Sequence, residues 1–200
     1  MPEILLQKLF LYTIIILSAV IHEYSHAWTA DFLGDPTARY QGRLTLNPLR
    51  HLDPVGTVVV PLFLLLFAGI FIGWAKPVPF NPYNLRDQKW GILKVGLAGP
   101  TSNLFLALVF GTILRVGVLP WLATVFSLIV AVNIFLALFN LLPIPPLDGS
   151  KVFGRAFPGF IEGLHSSGIG LILALVLAFL ILPSIAQWLY FLITGMHFGF

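Results

Sequence analysis

The sequence predicts an all-α integral membrane protein, a polytopic helical bundle with a re-entrant or hairpin segment between its first two core helices. Of the 200 residues, 58% are hydrophobic and only 10% are charged, whereas soluble domains are about half apolar and a quarter charged. Too few polar groups remain to cover a water-facing surface, so lipid must serve as part of the solvent. The chain contains no Cys, so any transition metal must be held by His and carboxylate side chains.

Four apolar stretches are long enough to cross about 30 Å of hydrocarbon as helices, which takes roughly 20 residues. They cover residues 4–33, 92–119, 122–142 and 169–193. A break is expected at Pro183 in the last of them. A further stretch, 55–72, is interrupted by Pro61 and Gly69, and the broken segment is expected to extend to about residue 82. We expect a single membrane-embedded domain whose first stretch is a retained helix and not a signal peptide.

The first stretch contains His22, Glu23 and His26 in the order HEYSH. Helix positions i and i+4 lie about 40° apart in azimuth and about 6 Å apart in rise, so two imidazoles at this spacing can bind one metal ion. The Glu between them is placed to handle a proton. The alternative is that both His side chains cap the helix at the membrane surface, but the apolar run continues for about two turns beyond them.

A hydrolytic zinc site usually has three protein ligands and leaves one position for water. The other His residues lie in or beside loops, where a lone His is more often interfacial than a ligand: His51, His165 and His197. Asp148 is the stronger candidate, because a carboxylate within the apolar, Pro-rich run 140–149 is better explained by binding than by solvation. We expect this Asp on an extended segment; a simple polar turn is the alternative.

Three motifs, in this order along the chain, resemble the site-2 protease family of intramembrane zinc metalloproteases. They are HEYSH at 22–26, GPTSN at 99–103 and NLLPIPPLDG at 140–149, and the similarity covers roughly residues 15–150. No PDZ-like insertion and no regulatory domain is evident, so the chain resembles a minimal member of that family.

The resemblance implies one Zn²⁺ per chain, with three ligands and one catalytic base among the residues already singled out. By this resemblance the ligands are His22, His26 and Asp148, and Glu23 is the base that activates the zinc-bound water. The family pattern also implies that further residues lie against the pocket or contact substrate: Gly99, Asn103 and Asn140.

The implied activity is hydrolysis of peptide bonds in transmembrane segments, with single-span membrane proteins as substrates. Two alternatives are a zinc hydrolase of a small or lipid-like amide, and a non-enzymatic protein with structural or transported zinc. A closed structural site needs no base such as Glu23, and a transporter would show polar residues along a pathway. The net charge of +3 comes from basic residues in short loops, so no nucleic-acid partner is expected.

The proposed ligands also constrain the topology. His26 lies near the C-terminal end of the first stretch and Asp148 follows the stretch 122–142, so the C-terminal ends of these two helices must face the same side of the membrane. The number of spans between them must then be odd. Of the two stretches in between, 92–119 is long and unbroken, so 55–72 is the one that must not cross. Nine basic residues then share that face, against Lys8 and Arg115 opposite; a crossing would reduce the split to seven against four. The nine are Arg39, Arg43, Arg50, Lys76, Arg86, Lys89, Lys94, Lys151 and Arg155. Because positive charge collects on the cytoplasmic side, we expect a multi-pass cell-membrane protein with its active site nearer the cytoplasm.

Overall fold

The computed structural model describes residues 2–61, 63, 76–166 and 168–198. Seven α-helices can be bounded among these residues: α1 (Pro2–Phe32), α2 (Thr37–Tyr40), α3 (Gly91–Val116), α4 (Ala123–Asn140), α5 (Asp148–Ala156), α6 (Pro158–Ser166) and α7 (Gly168–Thr194). Short 3-10 turns lie at Pro48–Arg50, Pro82–Asn84 and Pro120–Leu122, and a π-helical turn at Pro54–Val59. The described residues include no strand, and the predicted all-α membrane class is confirmed.

Within the described ranges, three helices are long and apolar enough to cross a membrane: Leu5–Phe32, Gly91–Val116 and Pro120–Asn140. The described apolar part of α7, Ala178–Thr194, is shorter. Large apolar side chains stay exposed on the outer faces of these helices, as at Phe105 and Phe179. An exposed apolar surface of this kind suits lipid rather than water. The chain is therefore a multi-pass membrane protein.

The predicted break at Pro183 is wrong, because α7 continues through this residue from Gly168 to Thr194. α3 likewise continues through Pro100. Proline removes one backbone hydrogen bond, but membrane helices tolerate it where neighbouring helices and local adjustment satisfy the freed carbonyl. The stretch 169–193 is thus one helix and not two segments.

Small residues bring α3, α4 and α7 into close contact. Ala107, Ala131 and Ala186 are buried at the centre of this interface beside Tyr190. At Gly111 an added Cβ would overlap the side chain of Ile193 across the interface. Without a hydrophobic force between helices in lipid, close backbone approach through Gly and Ala provides the packing energy. These contacts fix α3 and α4, which carry part of the polar centre described below.

Polar contacts define the relative directions of the first three spanning helices. Along α1 from His22 to His26, the partner on α3 changes from Asn103 to the backbone of Val95, so these helices are antiparallel. Ser18 of α1 contacts Asn133 of α4, and the chain beyond the end of α4 returns to His22. α1 and α4 are therefore parallel, which brings their C-terminal ends to one side.

Part of the predicted broken segment 55–82 lies outside the described residues, but its two ends are described. Near its start, the hydroxyl of Tyr12 in α1 donates to the carbonyl oxygen of Thr57. Near its end, the backbone N–H of Lys76 donates to the carbonyl oxygen of His51 over 3.0 Å. The chain therefore contacts α1 at Tyr12 and, by Lys76, lies again beside His51, which precedes the segment.

Arg43 holds these ends together from the interior of the protein. Its buried guanidinium donates to the carbonyl oxygens of Arg50 and Lys76, each over 2.5 Å, and to that of Pro77 over 3.3 Å. Three carbonyls from the two sides of the segment thus share one cation, a charge-assisted arrangement stronger than neutral hydrogen bonds.

A second buried polar group fixes the end of α1. Gly34 has φ +110, a conformation that L side chains rarely adopt, and turns the chain. The next residue, Asp35, is fully buried and accepts hydrogen bonds from Thr37, Asn81 and Asn84. This carboxylate therefore ties the loop after α1 to the chain that leads into α3.

Candidate metal centre

Helix α1 presents two imidazoles to the interior of the bundle. His22 and His26 are buried, with 5% and 7% of their surface exposed. Their rings meet edge to face, with centroids 4.7 Å apart, and their Nε2 atoms lie 3.0 Å apart. The i, i+4 spacing therefore places both rings on one face of the helix, as the sequence pattern predicts.

Asp148 reaches the same point from the other end of the chain. It is 6% exposed, and its Oδ2 lies 3.0 Å from His22 Nε2 and 2.9 Å from His26 Nε2. The expected extended segment ends one residue earlier, at Leu147, and Asp148 is the first residue of α5. The helix start fixes the carboxylate more firmly than an extended strand would, since the following turn holds its backbone.

Gly149 allows α5 to begin so close to the end of α4. A Cβ at this position would overlap the carbonyl oxygens of Leu141 and Leu142. Any larger residue would push α5 away from α4 and carry Asp148 out of reach of the imidazoles. The two residues of the Asp-Gly pair thus have different roles: Asp148 supplies the carboxylate, and Gly149 allows α5 to pack closely against the end of α4.

The protonation of the two imidazoles follows from their outer partners. Nδ1 of His26 lies 2.6 Å from the carbonyl oxygen of Val95, which can only accept, so this nitrogen carries the proton. Nδ1 of His22 lies 2.6 Å from Oδ1 of Asn103 and donates in the same way. In neutral rings both Nε2 atoms are then lone-pair donors, and both face the Asp148 carboxylate.

This donor set fits a metal ion. Three lone-pair atoms from His22, His26 and Asp148 lie about 3 Å from one another, close to the roughly 3.3 Å expected between ligands of a tetrahedral ion with bonds of 2.0–2.1 Å. Protonating both Nε2 atoms instead would set two cationic rings against each other in a buried site. A shared cation removes this conflict, and zinc prefers nitrogen and carboxylate ligands.

A chain of amides holds the first imidazole in place. The Asn103 side chain is fully buried; its amide nitrogen donates to Asn133 Oδ1 over 2.8 Å and points toward the carbonyl oxygen of Ser18 at 3.4 Å. Asn133, also fully buried, donates to Ser18 Oγ over 2.9 Å and to the carbonyl oxygen of Ile129 over 2.9 Å. Each amide orientation is thus fixed by a carbonyl acceptor, and Asn103 can present only its oxygen to His22.

Sequence reasoning missed Asn133 and Ser18. A signal was available for Asn133, since it is a lone amide within an otherwise apolar helix and such groups are costly in lipid unless paired. Ser18 offered none, because serine often bonds to its own helix in membrane proteins.

Gly99 lies directly against the two rings. A Cβ at this position would lie 2.5 Å from Cε1 and Nε2 of His22, and closer still to Nε2 of His26. The absence of a side chain therefore lets the backbone of α3 cover the imidazoles. The structure places Gly99 and Asn103 beside the candidate ligands His22 and His26.

Glu23 is half-buried, next to the two candidate ligands on α1. Its Oε2 accepts a hydrogen bond of 2.7 Å from the backbone N–H of Val78. Val78 lies in the irregular stretch 76–80, between Pro77 and Pro79, and prolines have no N–H to donate. The N–H of Val78 is thus the one backbone donor that this Pro-Val-Pro run can offer to the carboxylate.

The remaining candidates lie elsewhere. Asn140 is half-buried at the end of α4, and its amide donates to the carbonyl oxygen of Leu136 on the same helix over 2.9 Å. His51 Nε2 pairs with the carbonyl oxygen of Thr45, and His197 stacks on Phe191. The side chain of His165 lies outside the described ones. Among described residues, the three-ligand group of His and carboxylate side chains is the one on α1 and α5.

Comparisons with known proteins identify a family. The family model for Peptidase family M50 matches residues 118–184, which include Asp148. The "Putative zinc metalloprotease YwhC" of Bacillus subtilis is 37% identical over 191 residues, covering 90% of this chain and 84% of its own. No solved structure matches the chain.

Two further relatives are matched over about half of their own length. The "Putative zinc metalloprotease Rip2" of Mycolicibacterium smegmatis is 34% identical over 138 residues, 67% of this chain and 52% of its own. The "Putative zinc metalloprotease MJ0611" of Methanocaldococcus jannaschii is 36% identical over 101 residues, 48% of this chain and 50% of its own. The predicted zinc cofactor and the family resemblance are both confirmed. A relative so similar over most of both chains decides the matter: this chain belongs to Peptidase family M50, the site-2 protease family.

Proposed function

We propose that the chain is an intramembrane zinc endopeptidase that cleaves transmembrane segments of single-span proteins. The observation that carries this proposal is the depth of the metal centre. His22 lies ten residues before the end of α1, about 15 Å along the helix axis, which is half of a 30 Å hydrocarbon layer. A substrate that reaches so deep a site from within the bilayer is itself a membrane segment.

The ligands for zinc are His22, His26 and Asp148, and the rest of the chemistry falls to neighbouring side chains. When bound, zinc would lower the pKa of a water molecule and polarise the scissile carbonyl. Glu23 takes the proton of the attacking water and delivers it to the leaving amine. Asn103 holds the His22 ring in the tautomer that binds metal.

A transmembrane substrate hides its carbonyls in helical hydrogen bonds and must unwind locally before attack. The irregular stretch 76–80 lies beside Glu23, with Val78 in contact with the carboxylate. An extended substrate segment on this side of Glu23 would lie against enzyme backbone that belongs to no helix. The Pro-rich run before Asp148 is a second irregular segment of this kind.

The proposal is tested by replacing Glu23 with Gln. This variant should keep its fold and about one zinc per chain, because Glu23 is not a ligand, and should lose at least about 10²-fold in turnover. The measurement is cleavage of a panel of single-span proteins in proteoliposomes, beside metal analysis of the same samples. Unchanged cleavage by zinc-loaded Glu23→Gln protein would contradict the assigned role, and hydrolysis of lipid amides alone would favour a small-molecule hydrolase.

We further propose a cell-membrane protein with its metal centre nearer the cytoplasm. The hydrogen bond between Lys76 and His51 supports a re-entrant 55–72 segment, and the nine-to-two split of basic residues supports the orientation. Single Cys residues at Thr45 and Asn84 should both react with impermeant reagents from the cytoplasmic side, and one at Val118 from the other side. Labelling of Thr45 and Asn84 from opposite faces would make 55–72 a true span.

A further inference from the structure

A cavity of about 390 Å³ lies between residues 41–52 and 76–79. Its described lining includes three cations and no acidic residue: Gln41, Arg43, Arg50, Lys76, Pro77 and Pro79 with two leucines. This volume falls within the range of small-ligand sites. A concave surface lined by like charges concentrates the field of those charges and attracts anions.

The cations of this cavity form no ion pair within the described part of the chain. Arg50 and Lys76 are exposed and form no ion pair with any described carboxylate. Arg43 is 6% exposed, and its two terminal nitrogens, Nη1 and Nη2, donate to backbone carbonyls. Its third guanidinium nitrogen, Nε, has no hydrogen-bond partner among the described residues. A buried donor without a partner carries a desolvation cost that an anionic ligand would remove.

Two residues that line the cavity flank a residue in contact with the proposed catalytic base. Pro77 and Pro79 line it, and Val78 between them donates to Glu23. Burial lowers the pKa of the Arg43 guanidinium, and the charge of the Glu23 carboxylate acts in the opposite direction, so the two groups are within electrostatic range. A ligand in the cavity therefore lies beside the irregular stretch 76–80, whose Val78 contacts Glu23.

We propose that this basic cavity is a specificity subsite that binds an acidic side chain of the peptide substrate, close to the scissile bond. The inference rests on the proposed proteolytic function and names the substrate feature that the site selects. Among anions, a side-chain carboxylate fits best, because a peptide that passes Glu23 along 76–80 carries its neighbouring residues directly to the cavity. The selected proteins then carry Asp or Glu on the cytoplasmic side of the cleavage point.

The test measures binding and cleavage separately. Zinc-loaded Glu23→Gln protein in neutral phosphatidylcholine nanodiscs is titrated with fluorescent single-span peptides. Each peptide carries Glu, Gln or Lys at one position near a helix-breaking centre, on the cytoplasmic side. The Glu peptide should bind about tenfold more tightly than the Lys peptide, the size of a charge-assisted hydrogen bond. The double reversal Arg50→Glu with Lys76→Glu should invert this order.

The matched control is the double reversal Arg86→Glu with Lys89→Glu, which changes two exposed cations that do not line the cavity. It should keep the parental order of affinities, and all variants should hold about one zinc per chain. Equal affinities for the three peptides, or an order that the cavity reversal leaves unchanged, would overturn the proposal. A reversal that alters affinity for phosphatidylglycerol alone would assign the cavity to a lipid headgroup and equally overturn it.

Failure of this proposal is distinguishable from failure of proteolysis. Binding selectivity without cleavage by the parental chain refutes proteolysis and keeps the subsite. Cleavage by the parental chain without preference for Glu refutes the subsite and keeps proteolysis.

Discussion

Two buried aspartates in this chain show opposite ways of holding a carboxylate inside a membrane protein. Asp35 is fully buried, and its two oxygens accept from Thr37, Asn81 and Asn84, all of which have hydrogens to give. Asp148 is 6% exposed, and one of its oxygens faces the Nε2 atoms of two imidazoles that donate from their other nitrogen. The first carboxylate is satisfied by the protein. At Asp148, Lys151 Nζ donates to Oδ1 over 2.8 Å, but Oδ2 meets two imidazole lone pairs and needs a cation there.

The difference shows that burial alone does not identify a ligand. A carboxylate surrounded by N–H and O–H donors is a structural element, whereas one that meets other lone pairs is part of a metal site. The sequences around the two residues, Gly34-Asp35-Pro36 and Leu147-Asp148-Gly149, are alike in their turn-forming neighbours. Only the partners that the fold brings to each Asp distinguish them.

The largest effect separating the two carboxylates is expected from Asp148→Ala. Losing one of three protein ligands should lower zinc affinity by more than about 100-fold, since outer-shell changes alone cost 10–100-fold. Zinc content after dialysis against a chelator should fall from about one per chain to nearly none. His51→Ala is the control, because the His51 ring pairs with Thr45 away from the centre. Full zinc in Asp148→Ala together with loss in His51→Ala would place the third ligand elsewhere.

An intermediate effect is expected from Asn133→Leu, which removes the amide that orients Asn103. The His22 ring would lose its fixed tautomer, and zinc affinity should fall about 10-fold, at the low end for an outer-shell partner. Competition with a coloured chelator measures this. Asn140→Leu, on the same helix, should change zinc affinity by less than about twofold, because its side chain bonds back to Leu136. Equal losses in the two variants would mean that α4 acts through general packing and not through the amide chain.

The smallest effect is expected from Asp35→Asn, and it should fall on stability alone. An amide cannot accept from all the donors around this site, so the free energy of unfolding should drop by about 1–3 kcal/mol, measured by thermal unfolding in detergent. Zinc affinity of the folded protein should not change. Reduced zinc affinity in folded Asp35→Asn would break the distinction between the two carboxylates.

The same residue predicts a pH dependence. Burial opposes ionisation of Asp35, but hydrogen bonds from Thr37, Asn84 and Asn81 outweigh it and hold the pKa of this carboxyl below its ordinary value. A depressed folded-state pKa adds stability above the unfolded value of about 3.9, and this is lost as pH falls through the folded-state pKa. The stability difference between parental and Asp35→Asn protein should be constant near neutral pH and shrink below about pH 4.

The sequence predicts the parts of this molecule that depend on local periodicity. The helices and the shared face of His22 and His26 follow from composition and from the i, i+4 rule, because both concern neighbours along one helix. Asp148 could be singled out because its apolar context left little reason for a solvated carboxylate. Its place at a helix start could not, since that depends on how Gly149 packs against the end of α4.

Long-range partners were beyond sequence reasoning. The pairing of Asn133 with Asn103 depends on the register of α4 against α3, which is set by small residues such as Ala107 and Ala131 over several turns. Pro183 shows that a local sequence rule can also predict a feature that the fold does not have. A local rule predicted a break there, but the surroundings of a membrane helix allow α7 to continue.

The closure between His51 and Lys76 has a consequence for how this architecture can vary. Two chain positions joined by a backbone hydrogen bond of 3.0 Å can be bridged by connectors of very different length, and each doubling of a flexible connector costs only about 0.6 kcal/mol. With Arg43 bound to both sides, a change in length confined to residues between Thr57 and Lys76 is expected to leave the contact of Val78 with Glu23 in place. This location is therefore where we expect insertions and deletions to be tolerated without displacing the candidate ligands His22, His26 and Asp148.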